Sequence, residues 1–435
     1  MHNVKNNAAS TLGAQLLINS TSMVVAADVF PVVPFYLTLA DSEGLSLEVV
    51  EVTDKTGTTL TVIRGVEGAD QTHPVGRPVE LRMMAQHLVE LQDAAAVVRP
   101  RGDWVSDTIN LREANASGKK VQLAAGTFYL EGDGNEIIRK TNTASWDGAG
   151  LGSTFLMIRA NVPNTRDVFR LTPKELEPMG YKNRGFQLSN FAIIPESGKP
   201  GRYAIHLDVD DVYEEIEGEM EIVEANWFTS QFHFHHLHLD YCGGRSIRLS
   251  NTLPKMDGYF CGKVTDCLIW SGIQCIGGGD SLQFLGNTLA GENWGLECLL
   301  RDLANVVAIR DNNITARGGA LRLYGDRFKI TDNNIELYEN GGTAPAVTPA
   351  AIVQLIGGKQ SELSGNTIMN IVGNSSAACQ LDNCDRAKLT HNRFHGGAVG
   401  NDLVVASSCT NTFLYPDNHY YNARKVDSGT NTTYV

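Results

Sequence analysis

The feature that most constrains the fold is a six-residue phrase that occurs six times between residues 284 and 420. It has an apolar residue at each end and an asparagine at its fourth position, as in Phe284-Leu285-Gly286-Asn287-Thr288-Leu289. The copies begin at residues 284, 309, 330, 363, 389 and 415, so their spacings are 25, 21, 33, 26 and 26 residues. Degenerate copies precede them at residues 188–193, 234–239 and 264–269.

A repeat of this length without a helical pattern predicts a solenoid of short parallel strands. Each copy would form one corner of one coil, with its apolar ends pointing inward and its asparagine stacked on the asparagine of the next coil. Stacked amides can hydrogen-bond one another and the backbone inside a narrow core. An antiparallel sandwich with asparagines in its turns is the alternative, but it would not hold asparagine at one position in six successive units. The predicted fold class is therefore an all-β parallel β-helix with a small N-terminal β domain and short connecting helices.

The domain boundaries follow from where this pattern begins and ends. Residues 1–83 are predicted to form the N-terminal β domain, and residues 84–118 a helical linker and cap. Residues 119–420 are predicted to form the β-helix, and residues 421–435 a C-terminal tail. An elongated array of this kind accommodates most of the 435 residues without a second large core.

Local patterns predict the elements that precede the repeats. Residues 45–53 and 58–64 are rich in β-formers and should pair as a hairpin. Apolar residues at helical spacing predict a one-sided helix over residues 84–95, and a second helix is predicted over residues 108–116. The second helix would cap the open end of the apolar core. Residues 207–230 contain an acidic excursion that interrupts the repeat.

Composition and charge exclude several classes of protein. An apolar fraction of 42% argues against disorder. The net charge of −13 argues against nucleic acid as a partner. The amino terminus has no apolar signal core, and the chain has no stretch apolar enough to span a membrane. We therefore expect no membrane insertion, and synthesis and folding in a cytosol.

The cysteines and histidines predict neither a metal site nor a cofactor. All eight cysteines lie in the repeat region, several follow apolar strand residues, and no pair has zinc-ligand spacing. They are expected to be reduced and buried. His233, His235, His236 and His238 would alternate between the faces of a strand, with no obvious carboxylate partner beyond Asp240.

Two stretches resemble proteins of bacteriophage tails. Residues 7–82, with Asn7-Ala8-Ala9-Ser10-Thr11-Leu12 and Thr59-Leu60-Thr61-Val62-Ile63-Arg64-Gly65-Val66-Glu67-Gly68, are similar to amino-terminal virion-attachment domains. Residues 103–158, with the strand, turn and strand of residues 121–130 and a glycine-rich corner before Ser153-Thr154-Phe155, resemble the opening of tailspike and pectate-lyase-like helices. Together with the repeats, the chain resembles a tailspike or tail fibre with a right-handed parallel β-helix.

This resemblance implies a homotrimer located on the virion and assembled in the cytoplasm of the host bacterium. Residues 1–83 would attach to a tail or baseplate protein. The lateral faces of the β-helix would bind bacterial surface polysaccharide, such as capsule or O-antigen, and depolymerise it. Residues 421–435 leave no room for a separate trimerisation or carbohydrate-binding domain, so the enzymatic status stays open.

Four carboxylates are candidate catalytic residues, because glycoside hydrolysis uses one carboxyl group as acid and another as base or nucleophile. Asp280 and Asp326 precede their repeats by four residues and would lie two coils apart, about 9 to 10 Å along the axis. An aspartate before a strand also commonly forms a side-chain turn, which is the alternative reading. Glu292 and Glu297 complete the set, with Glu297, beside Trp294, as the predicted acid and Asp280 as the base.

A second column of polar residues is predicted on the strand that follows each copy of the phrase. Gln274, Glu297, Arg322, Gln354 and Gln380 each lie between apolar neighbours and should point outward on one sheet. Glutamine and arginine donate hydrogen bonds to hydroxyl groups, and aromatic rings stack on sugars. The candidate substrate-binding residues are Trp270, Gln274, Trp294, Arg317, Arg322 and Gln354. An ordinary polar sheet face fits the same pattern equally well.

Three functions remain open at this stage. The first is a polysaccharide depolymerase that acts by hydrolysis. The second is a non-catalytic receptor-binding fibre, or a structural tail component, that uses the same face. The third is a cellular polysaccharide lyase, which the absence of a recognisable secretory signal disfavours. The sequence names neither the polysaccharide nor the host.

Overall fold

The chain divides into two compact units, Met1–Ala95 and Ala96–Val435, in a computed structural model. The structure describes residues 8–40, 46–81, 95–132, 136–140, 144–172, 186–209, 212–216, 219–224, 229–240, 242–251, 259–291, 294–300, 306–337, 349–372 and 374–435. Among these residues, no helix has the length and apolarity needed to cross a membrane.

The first unit is a six-stranded antiparallel sheet. In chain order its strands are Ala9–Thr11, Ser22–Val24, Phe35–Ala40, Ser46–Thr56, Thr59–Gly68 and Pro78–Glu80. The predicted hairpin is present and longer than expected, because Thr56 pairs with Thr59 across a two-residue turn. Gly57 occupies the left-handed region in that turn, with a φ of +58°. Glycine adopts this conformation without a steric penalty.

A buried carboxylate organises the polar interior of this unit. Glu48, which is fully buried, accepts hydrogen bonds from Nε and Nη2 of Arg64, both at 2.7 Å, and from the Gly65 N–H at 3.0 Å. Nε2 of His73 lies 2.9 Å from its second oxygen. Burial raises the pKa of Glu48, but the hydrogen bonds from Arg64, His73 and Gly65 together with the charge of Arg64 outweigh it, so the pKa is lowered overall.

We expect Glu48→Gln to destabilise the first unit at neutral pH by roughly 3 kcal/mol, because it removes the buried one of the two carboxylates, Glu48 and Asp70, that pair with the buried Arg64 guanidinium. A carboxylate with a lowered native pKa contributes stability above its unfolded pKa, and this contribution is lost as the pH falls through the native value. The difference between the variant and the wild type should therefore shrink below pH 4. Hydrogen exchange of peptides covering residues 35–40, measured across pH, tests this, and a difference that is constant with pH would contradict it.

The second unit is a parallel β-helix, which confirms the predicted solenoid. Two large parallel sheets, of 11 and 22 strands, run along it. We call the 11-stranded sheet face 1. Most coils contribute two successive strands to the 22-stranded sheet, and we call these two rows face 2 and face 3. In chain order a coil passes through face 2, an asparagine corner, face 3 and then face 1.

The strands of face 1 are Glu136–Lys140, Asp167–Leu171, Tyr203–Asp208, Arg245–Asn251, Ile273–Gly277, Trp294–Leu300, Gly319–Tyr324, Ala351–Ile356, Ala377–Asp382, Leu403–Val405 and Lys425–Asp427. Those of face 2 are Lys120–Leu123, Trp146–Asp147, Lys263–Thr265, Gln283–Leu285, Val307–Arg310, Phe328–Thr331, Glu362–Ser364, Lys388–Thr390, Phe413–Leu414 and Thr433–Tyr434. Those of face 3 are Gly126–Leu130, Thr154–Ile158, Leu268–Ile269, Thr288–Gly291, Asn313–Ala316, Asn334–Leu337, Thr367–Asn370, Arg393–His395 and His419–Tyr420. Gln187–Pro195 and His233–Leu239 run through both face 2 and face 3.

Three smaller sets of strands complete the unit. Ala95–Val98 belongs to the 22-stranded sheet. Val212–Ile216 and Glu219–Glu224 pair antiparallel within the acidic excursion. Thr229–Ser230, Tyr259–Phe260 and Gly279–Asp280 form a short parallel sheet between face 1 and face 2.

A helix at Trp104–Ala116 packs on the first coils, as predicted, and begins one turn earlier than expected. Asp103 caps it by accepting a hydrogen bond from the Ser106 N–H at 2.8 Å. Leu111, on its inner side, is fully buried in the core of the coils. The helix therefore covers apolar surface that the first coil would otherwise expose.

Two other predictions need comment. Of the helix predicted over residues 84–95, residues 84–94 lie outside the described residues, and Ala95 begins a strand. The prediction of a C-terminal tail at residues 421–435 is wrong. Lys425–Asp427 and Thr433–Tyr434 continue faces 1 and 2 in parallel register. The repeat signal was missed there because that coil has no asparagine phrase.

The predicted asparagine ladder runs through six coils. The ladder residues are Asn287, Asn312, Asn333, Asn366, Asn392 and Asn418, and consecutive side chains are joined by Nδ2–H···Oδ1 bonds of 2.9 to 3.0 Å. Each Oδ1 after the first also accepts the backbone N–H of the preceding ladder residue. Each Nδ2 also donates to a carbonyl of the preceding coil. The buried amides therefore find hydrogen-bond partners in the equivalent asparagines and in the backbone of neighbouring coils.

We expect Asn333→Ala to lower the free energy of unfolding of the second unit by about 3 kcal/mol or more. The change removes the acceptor of the buried Asn312 backbone N–H and one of the two acceptors of the Asn312 side-chain amide, and each unsatisfied group costs about 1 to 3 kcal/mol. Asn334→Ala is the matched control, since this neighbouring amide is exposed and bonds only to the side chains of Asn313 and Glu336. Denaturant unfolding measures both variants. Equal losses would show that the ladder is not a principal source of stability.

Candidate functional site

Face 1 carries one outward-facing column of polar side chains. Gln274, Glu297, Arg322, Gln354 and Gln380 are successive Cα partners, as predicted. Toward the N-terminus the same column continues through Arg248, His206, Arg170 and Arg139. We call this set the polar column. Adjacent members lie about 4.8 Å apart along the axis, the spacing between neighbouring strands.

An apolar column runs beside it, two residues further along each strand. Its members are Ile276, Leu299, Tyr324 and Ile356. Tyr324 is 46% exposed, and the others are half-buried. On the other side of the polar column, the side chains are fully buried at Ala320, Ile352 and Ala378. The accessible part of face 1 is therefore about two side chains wide.

Glu297 is the centre of a hydrogen-bonded group in the polar column. Its carboxylate accepts from Nε2 of Gln274 at 2.7 Å, from Nη2 of Arg245 at 3.2 Å and from Nη1 of Arg322 at 3.3 Å. These contacts engage both carboxylate oxygens with two guanidinium groups and an amide. They fit a residue that positions its neighbours.

Trp294 lies at the edge of this group. Its ring lies against Gly319 in the next coil, where an added Cβ would come within 2.3 Å of it. The guanidinium of Arg322 lies 5.9 Å from its ring centroid, within the range of a cation–π contact. The structure therefore places Trp294 beside Arg322 and Glu297.

The other predicted carboxylates form no such group. Oδ1 of Asp280 accepts the Val306 N–H at 3.2 Å, and Oδ1 of Asp326 accepts the Lys359 N–H at 2.9 Å. Each thus joins a turn to the backbone of the next coil, which agrees with the turn alternative. Glu292 lies outside the described residues.

Two predicted binding residues lie at the corner before face 1, away from the polar column. Nε1 of Trp270 donates to Nε2 of His238 on face 3, at 3.1 Å. The Trp270 ring therefore belongs to the face 3 side of that corner. The backbone N–H of Arg317 bonds to the Gly291 carbonyl one coil earlier.

The sequence did not reveal a buried network near the N-terminal end of face 1. Oδ2 of Asp167 lies 2.7 Å from Nδ1 of His206, whose Nε2 lies 2.9 Å from Oγ of Ser250. Burial raises the pKa of Asp167. The hydrogen bonds from His206 and Arg202 lower it by more than burial raises it, so the pKa is lowered overall. The order Asp–His–Ser is that of an acyl-transfer triad. Ser250 is 2% exposed and also bonds to Asp208, so its hydroxyl is not open to an acyl group.

The histidines His233, His235, His236 and His238 do not form a metal site with other described residues. Nδ1 of His235 lies 2.9 Å from Nδ1 of His236, and His233 bonds to the Thr265 hydroxyl. Burial is the main cause that lowers the pKa of His233 to about 4. Within the described part of the chain, no three His, Cys, Asp or Glu side chains are arranged to hold a metal ion.

We expect Glu297→Gln to destabilise the second unit by about 2 to 3 kcal/mol, because it leaves the largely buried guanidinium of Arg245 without a counter-charge. Glu362→Gln is the control, since Glu362 is an outward, half-buried glutamate on face 2. Denaturant unfolding of both variants tests this expectation. A Glu297→Gln protein as stable as the Glu362→Gln control would show that the pairing of Glu297 with Arg245 is not a source of stability.

Comparison with known proteins finds similarity only at the level of fold. No protein-family model matches the chain, and no curated protein matches it by sequence. Among solved structures, the A-module of mannuronan C-5 epimerase AlgE4 from Azotobacter vinelandii shares 11% identity, with a TM-score of 0.48 over 75% of this chain and 91% of that one. The Dettilon tailspike protein (gp208) shares 11% identity, with a TM-score of 0.48 over 78% and 69%.

DFA-IIIase from Arthrobacter chlorophenolicus A6, solved in complex with GF2, is similar to the same degree. It shares 12% identity, with a TM-score of 0.49 over 77% of this chain and 99% of that one. Phage tailspikes and carbohydrate-processing enzymes thus both occur among the structural neighbours. Because one architecture serves many activities, the function has to be argued from the residues of face 1.

Proposed function

We propose that the chain is the receptor-binding spike or fibre of a bacteriophage tail and that face 1 binds bacterial surface polysaccharide. The observation that carries this proposal is the polar column in register beside the apolar column. Amide and guanidinium groups of the polar column can donate to sugar hydroxyls. Tyr324 and Trp294 offer rings against which the apolar side of a sugar can stack. Because both columns repeat along the axis, they suit an extended polymer.

The wider assembly is also part of the proposal. Residues 1–83 would attach the chain to a tail or baseplate protein, and three copies would form a homotrimer on the virion. Support comes from the resemblance of residues 7–82 and 103–158 to tail proteins. The antiparallel sheet of the first unit has a core of its own, separate from that of the coils, which fits a division between attachment and receptor binding.

Binding is the activity that the described carboxylates support best. Hydrolysis by two carboxylates needs one that is protonated and one that is ionised. Asp280 and Asp326 are bonded to the backbone of the next coil, and Glu297 is held by two arginines. The three predicted carboxylates that lie among the described residues are therefore all engaged in structural contacts. We accordingly propose the non-catalytic, receptor-binding form of the function.

We expect Tyr324→Ala to weaken binding of the recognised polysaccharide by about tenfold or more, because exposed aromatic side chains often dominate an interface. Tyr421→Ala is the control. This tyrosine is 67% exposed, and its ring contacts His395 on face 3. Interferometry with capsule and O-antigen preparations from candidate hosts measures both variants.

Released oligosaccharides are measured in the same preparations. Equal affinities of the two tyrosine variants would remove face 1 from the binding surface. Release of oligosaccharides by the wild type, lost in a folded Glu297→Gln variant, would overturn the non-catalytic form of the proposal. It would support the alternative function, a polysaccharide hydrolase.

A further inference from the structure

Face 1 has a positive excess in a protein that is negative overall. The column from Arg248 to Gln380 lies on six strands, Arg245–Asn251, Ile273–Gly277, Trp294–Leu300, Gly319–Tyr324, Ala351–Ile356 and Ala377–Asp382, and their charged residues are Arg245, Arg248, Arg322, Glu297 and Asp382. Three guanidinium groups and two carboxylates leave an excess of one positive charge, whereas the whole chain carries −13. A local patch of opposite sign attracts partners that the rest of the surface repels.

The two carboxylates of these strands, Glu297 and Asp382, do not neutralise the three guanidinium groups. Glu297 is shared between Arg245 and Arg322. Arg248 donates through Nη1 to the Tyr203 hydroxyl at 2.7 Å and to Oε1 of Gln274 at 3.0 Å. Both acceptors are uncharged, and no carboxylate of the described chain forms an ion pair with Arg248.

Donor groups on the same column remain unused. Among the described residues, Nε of Arg248 and Nε of Arg322 have no hydrogen-bond partner, but both atoms are buried, so a ligand would meet the terminal nitrogens of these guanidinium groups. The Arg322 side chain is 42% exposed, and its only hydrogen bond to a described residue is the 3.3 Å contact with Glu297. The amides of Gln354 and Gln380, in the two following coils, have no partner within the described residues either. From Arg248 to Gln380 the column crosses five strand steps, about 24 Å at the usual strand spacing.

We propose that the polysaccharide bound by face 1 is acidic, and that Arg248 and Arg322 bind its carboxylate groups. This inference rests on the proposed function and specifies the chemistry of its ligand. A guanidinium group presents a planar fork that matches a carboxylate in bidentate geometry. Glu297 holds Arg322 through Nη1 while the side chain stays 42% exposed, so the guanidinium group is oriented before a ligand arrives. Gln354 and Gln380 donate to hydroxyls of the following sugars.

The test uses the full chain and five polymers as probes. They are polygalacturonate, hyaluronan, the carboxyl-reduced form of each polymer, and dextran sulfate as a polymer that is anionic without carboxylates. Affinities are measured for the wild type, Arg322→Gln, Arg248→Gln and the control Arg310→Gln. Arg310 lies on face 2, pairs with Asp311 and has a side chain that is 62% exposed. Circular dichroism and melting curves establish that each variant is folded.

The expected result is binding of at least one uronate polymer and a loss of at least tenfold on carboxyl reduction. Arg322→Gln and Arg248→Gln should each lose at least tenfold, and Arg310→Gln less than twofold. Arg322→Lys, which keeps the charge without the fork, should fall between Arg322→Gln and the wild type. The carboxyl-reduced polymers give a readout that does not depend on the folding of any variant.

Other outcomes separate this inference from the proposed function. The carboxyl-reduced polymers could bind as tightly as the parent polymers, with binding weakened by Tyr324→Ala. That result would keep face 1 as a glycan-binding surface and overturn the inference that the ligand is acidic. Binding of dextran sulfate alone would overturn carboxylate recognition. Binding of none of these polymers, with tight binding of a neutral host polysaccharide, would overturn the inference and leave the proposed function standing. Binding of no polysaccharide from any source would overturn both.

Discussion

The structure depends on hydrogen bonding in register between successive coils, which the asparagine ladder fixes at one corner. Each ladder amide is joined to the amide of the next coil and to backbone groups of the coil before it. A shift of one coil by a single residue would break these buried bonds and turn every strand residue to the opposite side. The ladder therefore determines which side chains face outward on faces 1, 2 and 3, although none of its own atoms lies on them.

Because the coils stack in register, residues that are one coil apart in the sequence lie next to each other in a column along the axis. Residues 23 to 32 positions apart, such as Gln274, Glu297, Arg322 and Gln354, become neighbours at strand spacing. An outward side chain therefore contacts the equivalent side chains of neighbouring coils more often than side chains elsewhere in its own coil. This explains why Glu297 reaches Gln274 in the coil before it and Arg322 in the coil after it, and why Trp294 lies over Gly319.

The stacking of coils in register also explains how much of the fold and of face 1 could be predicted from the sequence. From residue 284 to residue 420 the coils carry the asparagine phrase at spacings of 21 to 33 residues, so the fold and the outward column from Gln274 to Gln380 could both be predicted. Nearer the N-terminus, the column members Arg139, Arg170, His206 and Arg248 are 31, 36 and 42 residues apart, and their coils lack the ladder asparagine. Their alignment could not be obtained from spacing. The partners of Glu297 were also hidden, because Arg245 reaches it from two coils away and 52 residues earlier in the chain.

A uniform column also limits the chemistry that the face can perform. Stacked coils give equivalent positions similar surroundings, whereas hydrolysis by two carboxylates needs two groups in different surroundings. On face 1 the one carboxylate of the central strands is held by arginines, and the turn aspartates are bonded to backbone groups. What remains open to solvent is a row of donors with a row of apolar side chains beside it. Repetition of this pair of rows favours contact with many units of one polymer over reaction at a single bond. A surface of this kind gains affinity from length, since each further coil in register adds another contact with the same chain.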